Sequence, residues 1–553
     1  MTPPGNCARP TPPLSEQELL RLLRLPSAVN AGMRPDASQY LKEADKELEA
    51  HQSHIEDIFD EQAAIRRNVS RYISLNAPIR RMPSEILHHV FVLAAAGWNI
   101  FGVGVAEEHP SIMGESVWKS TAFTLSRVCS RWREIAITTP QIWSSIAIRV
   151  CKRASEPTRL CILRSGNQPL LIYIEDYMLD RHTESIDYLL QTRNRLAYID
   201  VENAGPRIPV GLGQHALLPA LRSAVYCGWP EQASLLQRHL AGSQTLDSLT
   251  LGFPNGRILP YKDSLPLHRL RNLTARHWGS QAILKLAEAL RACHNLESLT
   301  CRSSSEAIVG EIIHWEDADT YGPLINRPPP VTCAALTSLS IILYDRFGIY
   351  TQLNDLVSCL TLPSLTHLSI RGGCRPDVDT FAGTWPRVEL ESFISRSQCS
   401  LRTLVLEEMP LVDSEVLALL HFIPTLEDLT IHELWTYPYT NLPESLLLLE
   451  PQTRVQTVTR ELMKGLHSNE CTPDQPVVPN LRRLRLKVRS HFDAGKMFVD
   501  MVKSRWCAPS SRLREVELDI QDIILDARTY EPLKRLDEEG MMVSVLGLGQ
   551  RVV

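Results

Sequence analysis

Three arginines stand at equivalent places in a repeated leucine pattern. Arg276, Arg302 and Arg371 each follow directly after the third apolar residue of an L-x-x-L-x-L pattern, or a close variant of it. Guanidinium groups bind carboxylates and phosphates through paired hydrogen bonds. The arginine column therefore predicts a face that holds an acidic or phosphorylated protein segment. The alternative is an ordinary solvated surface.

Basic and acidic residues also alternate along two consecutive repeats near the C-terminus. If these two strands are adjacent and parallel, unlike charges face each other, and the arrangement stabilises the sheet instead of forming an anion site. The facing pairs would be Arg483 with Glu515, Arg485 with Glu517, and Lys487 with Asp519.

Residue patterns typical of catalysis or metal binding are absent from the sequence. It contains no G-x-S-x-G, H-E-x-x-H or phosphate-loop motif. His51 and His54 lie one helical turn apart on the expected heptad helix, and we interpret them as ordinary histidines and not as metal ligands. The 13 cysteines include no C-x-x-C pair. We therefore expect a protein that is not an enzyme and that binds neither a metal nor a cofactor.

The leucine pattern dominates the C-terminal two thirds of the chain. Eleven copies, some of them weak, start 24 to 55 residues apart, with helical patterns between several of them. A strand followed by a helix buries its apolar face only when repeats stack. The spacing predicts an irregular leucine-rich-repeat-like solenoid over residues 165–530, with a tail at 531–553. The copies start at Leu196, Leu221, Leu246, Leu270, Leu296, Leu336, Leu365, Leu401, Leu426, Leu481 and Leu513.

The N-terminal part divides into a tail and a long helix. Residues 1–38 are rich in proline and predict a disordered tail, with a short helix that starts at the capping sequence Ser15–Glu18. Residues 39–75 carry apolar side chains at seven-residue spacing. This pattern predicts a heptad helix, which either folds back on the next domain or forms a homodimeric coiled coil through residues 41–75.

A second segment, residues 77–150, is mostly helical, and Trp143 opens a strand-like stretch at its end, Ser144–Val150. Pro83 suits the first turn of a helix, and apolar residues follow at helical spacing up to Ala94. A further helix is expected from Ser120 to Ala136. The glycine-rich stretch 95–120 between them predicts an irregular insertion.

The segment Ala77–Ile146 resembles the F-box family, in particular its large fungal branch. Together with the repeats behind it, the segment is similar to the F-box plus leucine-rich-repeat layout. The resemblance implies a small all-helical domain that docks onto a Skp-type adaptor, and through it onto a cullin, while the repeats bind a protein substrate. The positions that would contact the adaptor are Pro83, Glu85, Ile86, Leu87, Val90, Phe91, Leu125, Val128, Cys129 and Trp132.

The composition and the lengths of the apolar runs argue against two classes of protein, those that bind nucleic acid and those that span a membrane. The chain has 553 residues, a net charge of −5 and 6% aromatic residues, which argues against a nucleic-acid-binding surface. Its apolar runs are too short to span a membrane, and scattered cysteines fit the reducing cytoplasm and/or nucleus. We expect a multidomain α plus α/β protein that serves as the substrate receptor of an SCF-type ubiquitin ligase. The alternative is a repeat scaffold with a degenerate F-box.

Overall fold

The structure is a computed structural model with two compact units, residues 1–90 and residues 91–553, and each is described by itself. The residues that it describes are Pro12, 15–18, 35–104, 121–149, 155–175, 191–204, 218–228, Leu240, 243–252, 265–276, 280–302, 329–343, 349–372, 385–409, 411–433, 456–468, 477–489, 492–508, 512–521 and 523–553.

The first unit contains one long helix, α1 (Pro35–Asn76). Proline suits the first turn of this helix, and the following 41 residues contain no glycine or proline. The helix ends before Pro78, because a proline disfavours the helical conformation of the residue that precedes it. No residue of 38–76 is buried. Within this unit, the helix therefore has no buried face.

The proposed tail is shorter than residues 1–38, because α1 already begins at Pro35. Ahead of it, Ser15 caps a single helical turn, with the Glu18 amide donating to Ser15 Oγ at 3.3 Å. This is the expected capping contact. The rest of the proposed tail lies outside the described residues.

The next helix, α2 (Ser84–Gly104), follows a short helical turn at Pro78–Arg81. We expected an irregular insertion from residue 95, and this was wrong for residues 95–104, which are helical. The run Ala94–Ala96 consists of the best helix former, and its propensity outweighs the single Gly97. Residues 105–120 of the expected insertion lie outside the described ranges.

The helix expected from Ser120 to Ala136 is two helices, α3 (Thr121–Val128) and α4 (Ser130–Ile137). The chain is extended at Cys129, whose Sγ accepts the Trp132 amide at 3.5 Å as the cap of α4. A thiol is a weak acceptor, which is why the sequence did not suggest a cap at this position.

Across the described residues, no helix is long and apolar enough to cross a membrane.

A sheet of 15 strands, mostly parallel, organises the second unit. Strands β1 to β7 pair in chain order, β7 pairs with β9, and the order then continues from β9 through β11 to β17. The short strands β8 and β10 pair separately, and among the strand pairs of the described residues only β16 with β17 is antiparallel. The strands are β1 (Ser145–Arg149), β2 (Leu170–Glu175), β3 (Leu196–Ala204), β4 (Ser223–Gly228), β5 (Ser248–Gly252), β6 (Asn272–Arg276), β7 (Ser298–Arg302), β8 (Val331–Thr332), β9 (Ser338–Leu343), β10 (Leu360–Thr361), β11 (His367–Gly372), β12 (Thr403–Glu407), β13 (Asp428–His432), β14 (Arg483–Val488), β15 (Glu515–Ile520), β16 (Met542–Gly547) and β17 (Gln550–Arg551).

Helices follow many of these strands, as a parallel sheet requires. The second and third apolar residues of the leucine pattern lie on the strands and are buried, while the residues between them are only partly covered. The observed class, helices with a large parallel sheet, therefore agrees with the expected one at this level. The helices are α5 (Ser155–Arg164), α6 (Ser280–Leu290), α7 (Ile349–Ser358), α8 (Arg387–Ser397), α9 (Asp413–His421), α10 (Arg460–Gly465), α11 (Gly495–Cys507) and α12 (Ala527–Glu538).

The sheet extends beyond the expected range 165–530 at both ends. Strand β1 lies near the end of the segment 77–150 and pairs with β2. It confirms the strand-like stretch expected after Trp143, but it departs from the all-helical domain that the resemblance implies. The expected tail 531–553 instead holds the end of α12 and the strands β16 and β17. The last repeat was missed because Gly540, with a φ of 101°, replaces the first leucine of the pattern.

Side chains just before the first leucine link neighbouring repeats. Thr245 Oγ1 donates to the Leu221 carbonyl at 2.8 Å, and Thr425 Oγ1 donates to the Leu401 carbonyl at 2.8 Å. Asn295 Nδ2 donates in the same way to His268, at 2.8 Å. These bonds satisfy turn carbonyls, the role that asparagine ladders play in regular leucine-rich repeats.

Candidate functional site: two protein-interaction surfaces

Helix α2 places the expected adaptor-contacting residues on two different sides. Ile86 and Val90, four residues apart, are 48% and 40% exposed, while Leu87 and Phe91 are fully buried. Residues four apart share a side of a helix, so the exposed pair and the buried pair form neighbouring stripes. The side chains of Leu87 and Phe91 are covered by other residues of the chain, whereas those of Ile86 and Val90 are accessible.

The remaining expected positions are accessible to different degrees. Pro83 and Glu85 are exposed at the start of α2, and Leu125 is partly covered. Val128 is 56% exposed at the end of α3. Cys129 is partly covered and caps α4.

Trp132 packs inside the second unit. Its ring lies 4.9 Å from the Phe91 ring, measured between centroids, at an interplanar angle of 58°. Tilted aromatic pairs of this kind stabilise cores. The side chain is only partly covered, so Trp132 combines a core contact with an accessible edge.

Trp143 anchors the short helices to the sheet. It is fully buried, and its Nε1 donates to the Ala136 carbonyl at 2.7 Å. The Phe123 ring meets it edge-on at 5.2 Å, and the Arg164 guanidinium lies 4.5 Å from its ring centre. The sequence suggested only that Trp143 opens a strand, and the structure adds that it occupies the place of the first leucine before β1.

The second surface, named here the open face, is the side of the sheet whose side chains lie between the buried leucines. In the observed strand registers, these side chains are aligned in three rows across the sheet. Hydroxyl groups dominate the middle of two rows. They belong to Ser223, Ser248, Ser298 and Ser338 in one row, and to Thr250, Thr274, Thr300, Ser340 and Ser369 in the next.

The third row contains the arginine column, but the column is interrupted. Arg276 lies directly beside Arg302 in the register of β6 and β7. Ile342 of β9 stands next to Arg302, and Arg371 stands on its other side. The structure therefore brings two of the three predicted arginines together and separates the third by one apolar residue.

Arg371 belongs instead to a charged cluster. Its Nε lies 3.1 Å from Glu407 Oε2, and the other carboxylate oxygen of Glu407 lies 3.2 Å from His432 Nδ1. The hydrogen bond from His432 holds the pKa of Glu407 below its usual range, and Arg371 and Lys487 add to this effect. A guanidinium committed to a carboxylate of its own chain is a poor site for an external anion.

The charged strands near the C-terminus have the predicted register. Arg483 lies opposite Glu515, Arg485 opposite Glu517, and Lys487 opposite Asp519. The closest contacts nevertheless differ from this register. Arg483 forms a two-pronged ion pair with Asp428 on the preceding strand, and Arg485 contacts Glu515 at 2.7 Å.

The predicted facing of Arg483 and Glu515 is confirmed by the register, although the nearest carboxylate to Arg483 is that of Asp428. Side chains in a strand lean along the chain direction, so the nearest partner can be a diagonal neighbour or one on the other adjacent strand. The structural interpretation of the charges holds, because each arginine meets a carboxylate of this chain.

Sequence reasoning missed two features that bear on these surfaces. The first is Ile342, which interrupts the arginine column. It could have been found from the sequence, because it directly follows the third apolar residue of its repeat. Arg505 gave no such signal. It is buried in α11 and donates to the carbonyls of Leu466, Val477 and Val478, and no residue pattern marks these acceptors.

Within the described part of the chain, no three His, Cys, Asp or Glu side chains are grouped as metal ligands. Comparison with known proteins found no matching family model and no matching curated protein.

Proposed function

We propose that the chain is the substrate-receptor subunit of an SCF-type ubiquitin ligase, acting in the cytoplasm and/or nucleus. The observation that carries the proposal is the exposed pair Ile86 and Val90 on α2, in a segment that resembles an F-box. Aliphatic side chains at this spacing suit a partner helix or groove. The partner would be a Skp-type adaptor, bridging to a cullin.

The open face would bind the protein substrate. Its middle combines hydroxyl-bearing residues with Arg276 and Arg302, which are paired in the register of β6 and β7. Hydroxyl and guanidinium groups together suit an acidic or phosphorylated segment. In this role the chain makes and breaks no bonds, and it speeds ubiquitin transfer by raising the local concentration of substrate near the conjugating enzyme.

A second function, that of a repeat scaffold with a degenerate F-box and no role in ubiquitination, is favoured by a different observation. Leu87 and Phe91 are fully buried in the chain itself, which leaves fewer apolar contacts for an adaptor. The two functions differ in whether purified protein binds the Skp-type adaptor.

Substitution tests this more cleanly than deletion, because removing residues 77–150 would also remove β1. The full chain is mixed with a Skp-type adaptor, and binding is measured by co-purification and by titration. Ile86→Asp with Val90→Asp should reduce adaptor binding by at least about tenfold, since each buries a charge in an apolar contact.

Val388→Asp is the matched control, because Val388 is 72% exposed on α8, within the repeats. The control should bind the adaptor like the wild type. If the wild-type chain fails to bind the adaptor, or if the double variant binds it unchanged, the receptor function is refuted and the scaffold function is favoured.

A further inference from the structure

The apolar seam of α1 is exposed along its whole length. These side chains repeat at the first and fourth positions of consecutive heptads, and their exposed fractions lie between 45% and 71%. They are Leu41, Leu48, Ile55, Ile58, Ile65, Val69 and Tyr72.

An exposed seam of this length requires a cover. Most of the stability of a helix in a protein comes from packing of its apolar face, and a helix of 42 residues is about 63 Å long. A seam at seven-residue spacing is matched in period by another helix of the same kind. We propose that α1 pairs with α1 of a second copy of this chain as an antiparallel coiled coil.

One antiparallel register matches all five heptads. In an antiparallel pair, a residue at the first heptad position faces a residue at the fourth position of the partner. If Ile55 faces the partner's Ile58, then Leu48 faces the partner's Ile65, and Leu41 faces the partner's Tyr72. The same register places Val69 against the partner's Ala44.

The two polar residues of the seam also meet in this register. His51 faces the partner's Gln62, so an imidazole meets an amide that can both donate and accept. A parallel pair would instead place His51 against the partner's His51, and the imidazoles would repel each other when protonated. Polar residues within a seam commonly fix its register.

The distribution of charge along α1 favours the antiparallel direction. Residues 36–61 carry nine carboxylates and two lysines, whereas residues 62–76 carry three arginines and no carboxylate. An antiparallel pair lays the basic end of each helix over the acidic beginning of its partner. A parallel pair would stack acidic on acidic and basic on basic, which is repulsive within the ~8–10 Å reach of charges at physiological salt.

The positions that flank the seam select the same direction. In the antiparallel register, Asp45 lies beside the partner's Arg66, and His54 lies beside the partner's Glu61. Such flanking pairs set partner orientation in coiled coils. The parallel alternative retains one attractive pair, Glu61 with the partner's Arg66, which makes the two directions distinguishable by charge exchange.

The first experiment places a photoreactive benzoylphenylalanine at position 48 of the full chain, in an equal mixture of ¹⁵N-labelled and unlabelled protein. The expected result is a sedimenting mass of twice 62.4 kDa and mixed-isotope cross-links to the partner's residues 62–69. A monomer, cross-links within one chain, or cross-links to the partner's residues 45–52 would each overturn the proposal.

The second experiment exchanges charges in the full chain. Arg66→Glu should raise the dimer dissociation constant roughly tenfold, because the change acts on two symmetric pairs. Adding Asp45→Arg should restore most of the affinity. Asp57→Arg is the matched control, because Asp57 lies on the side of α1 that faces away from the partner helix. Adding it to Arg66→Glu should restore none of the lost affinity.

If Glu61→Arg restores the affinity and Asp45→Arg does not, the helices pair in parallel and the proposal is overturned. An unchanged dissociation constant for Arg66→Glu would also overturn the proposal. These results are independent of the adaptor test, because dimerisation through α1 requires no ubiquitin ligase component.

Discussion

Arg485 donates a hydrogen bond of 2.7 Å to Glu515, a carboxylate that lies diagonally from it on the next strand. Glu517, directly opposite in the register, is 3.6 Å away. Arg483 reaches in the other direction, to Asp428. The charges of β13, β14 and β15 therefore form one connected network across three strands.

Reversing the acidic side of this network should destabilise the sheet. We expect Glu515→Lys with Glu517→Lys to lower the free energy of unfolding by about 1–2 kcal/mol, because two attractive contacts become repulsive. Thermal and urea unfolding measure the change. Glu538→Lys, a reversal at an exposed site on α12, should have a much smaller effect, and an unchanged melting temperature for the double variant would contradict the network.

Acid should weaken the cluster around Glu407. Its pKa is lowered in the folded protein, mainly by the hydrogen bond from His432. The carboxylate therefore stabilises the fold above the unfolded pKa of about 4.3, and this contribution disappears as the pH falls through the lower folded-state pKa. Urea unfolding between pH 3 and pH 7 should show a smaller loss of stability in Glu407→Gln than in the wild type. Equal losses would show that Glu407 makes no such contribution.

The cysteines should differ sharply in reactivity. Burial raises the pKa of Cys161 and Cys301 to about 12 and that of Cys333 to about 11. Cys507, by contrast, is exposed. Because the thiolate is the reactive form, iodoacetamide at pH 8 should label Cys507 and spare the three buried thiols in folded protein. Mass spectrometry with and without urea distinguishes this result from uniform labelling.

Arg505 should be essential for the stability of the C-terminal repeats. Burial lowers its pKa to about 10, yet it stays charged at neutral pH and donates to three carbonyls. We expect Arg505→Met to lower the free energy of unfolding by roughly 2–4 kcal/mol, because buried carbonyls lose their donors. Lys496→Met, at an exposed position of the same helix, is the control, and equal effects in the two variants would contradict this role.

Much of the sheet could be predicted from the sequence for a simple reason. Side chains alternate in a strand, so a slip of one residue would expose Leu484 and Leu486, and the leucine-pattern spacing shared by the two repeats aligns them with Val516 and Leu518. The shared pattern is therefore enough to place Arg485 opposite Glu517. The same logic fails where a repeat lacks its first leucine, as at Gly540.

The candidate surfaces were less predictable, because a helical stripe does not reveal which side faces its own core. Ile86 and Leu87 are neighbours of similar hydrophobicity, yet one is exposed and the other is buried. Spacing also cannot reveal contacts between distant segments. Arg505 lies 39 residues from Leu466, and only the fold brings them together.

Pairing in chain order has a consequence for how the protein is made. In the long sheet, almost every strand joins a neighbour that the ribosome has already produced, and no strand waits for one synthesised hundreds of residues later. At ~5–20 residues per second, the 24 to 55 residues between pattern starts take roughly 1–10 s. Because the strands of the described sheet pair with their nearest neighbours, the sheet can grow one strand at a time during translation, and its great length need not slow its folding.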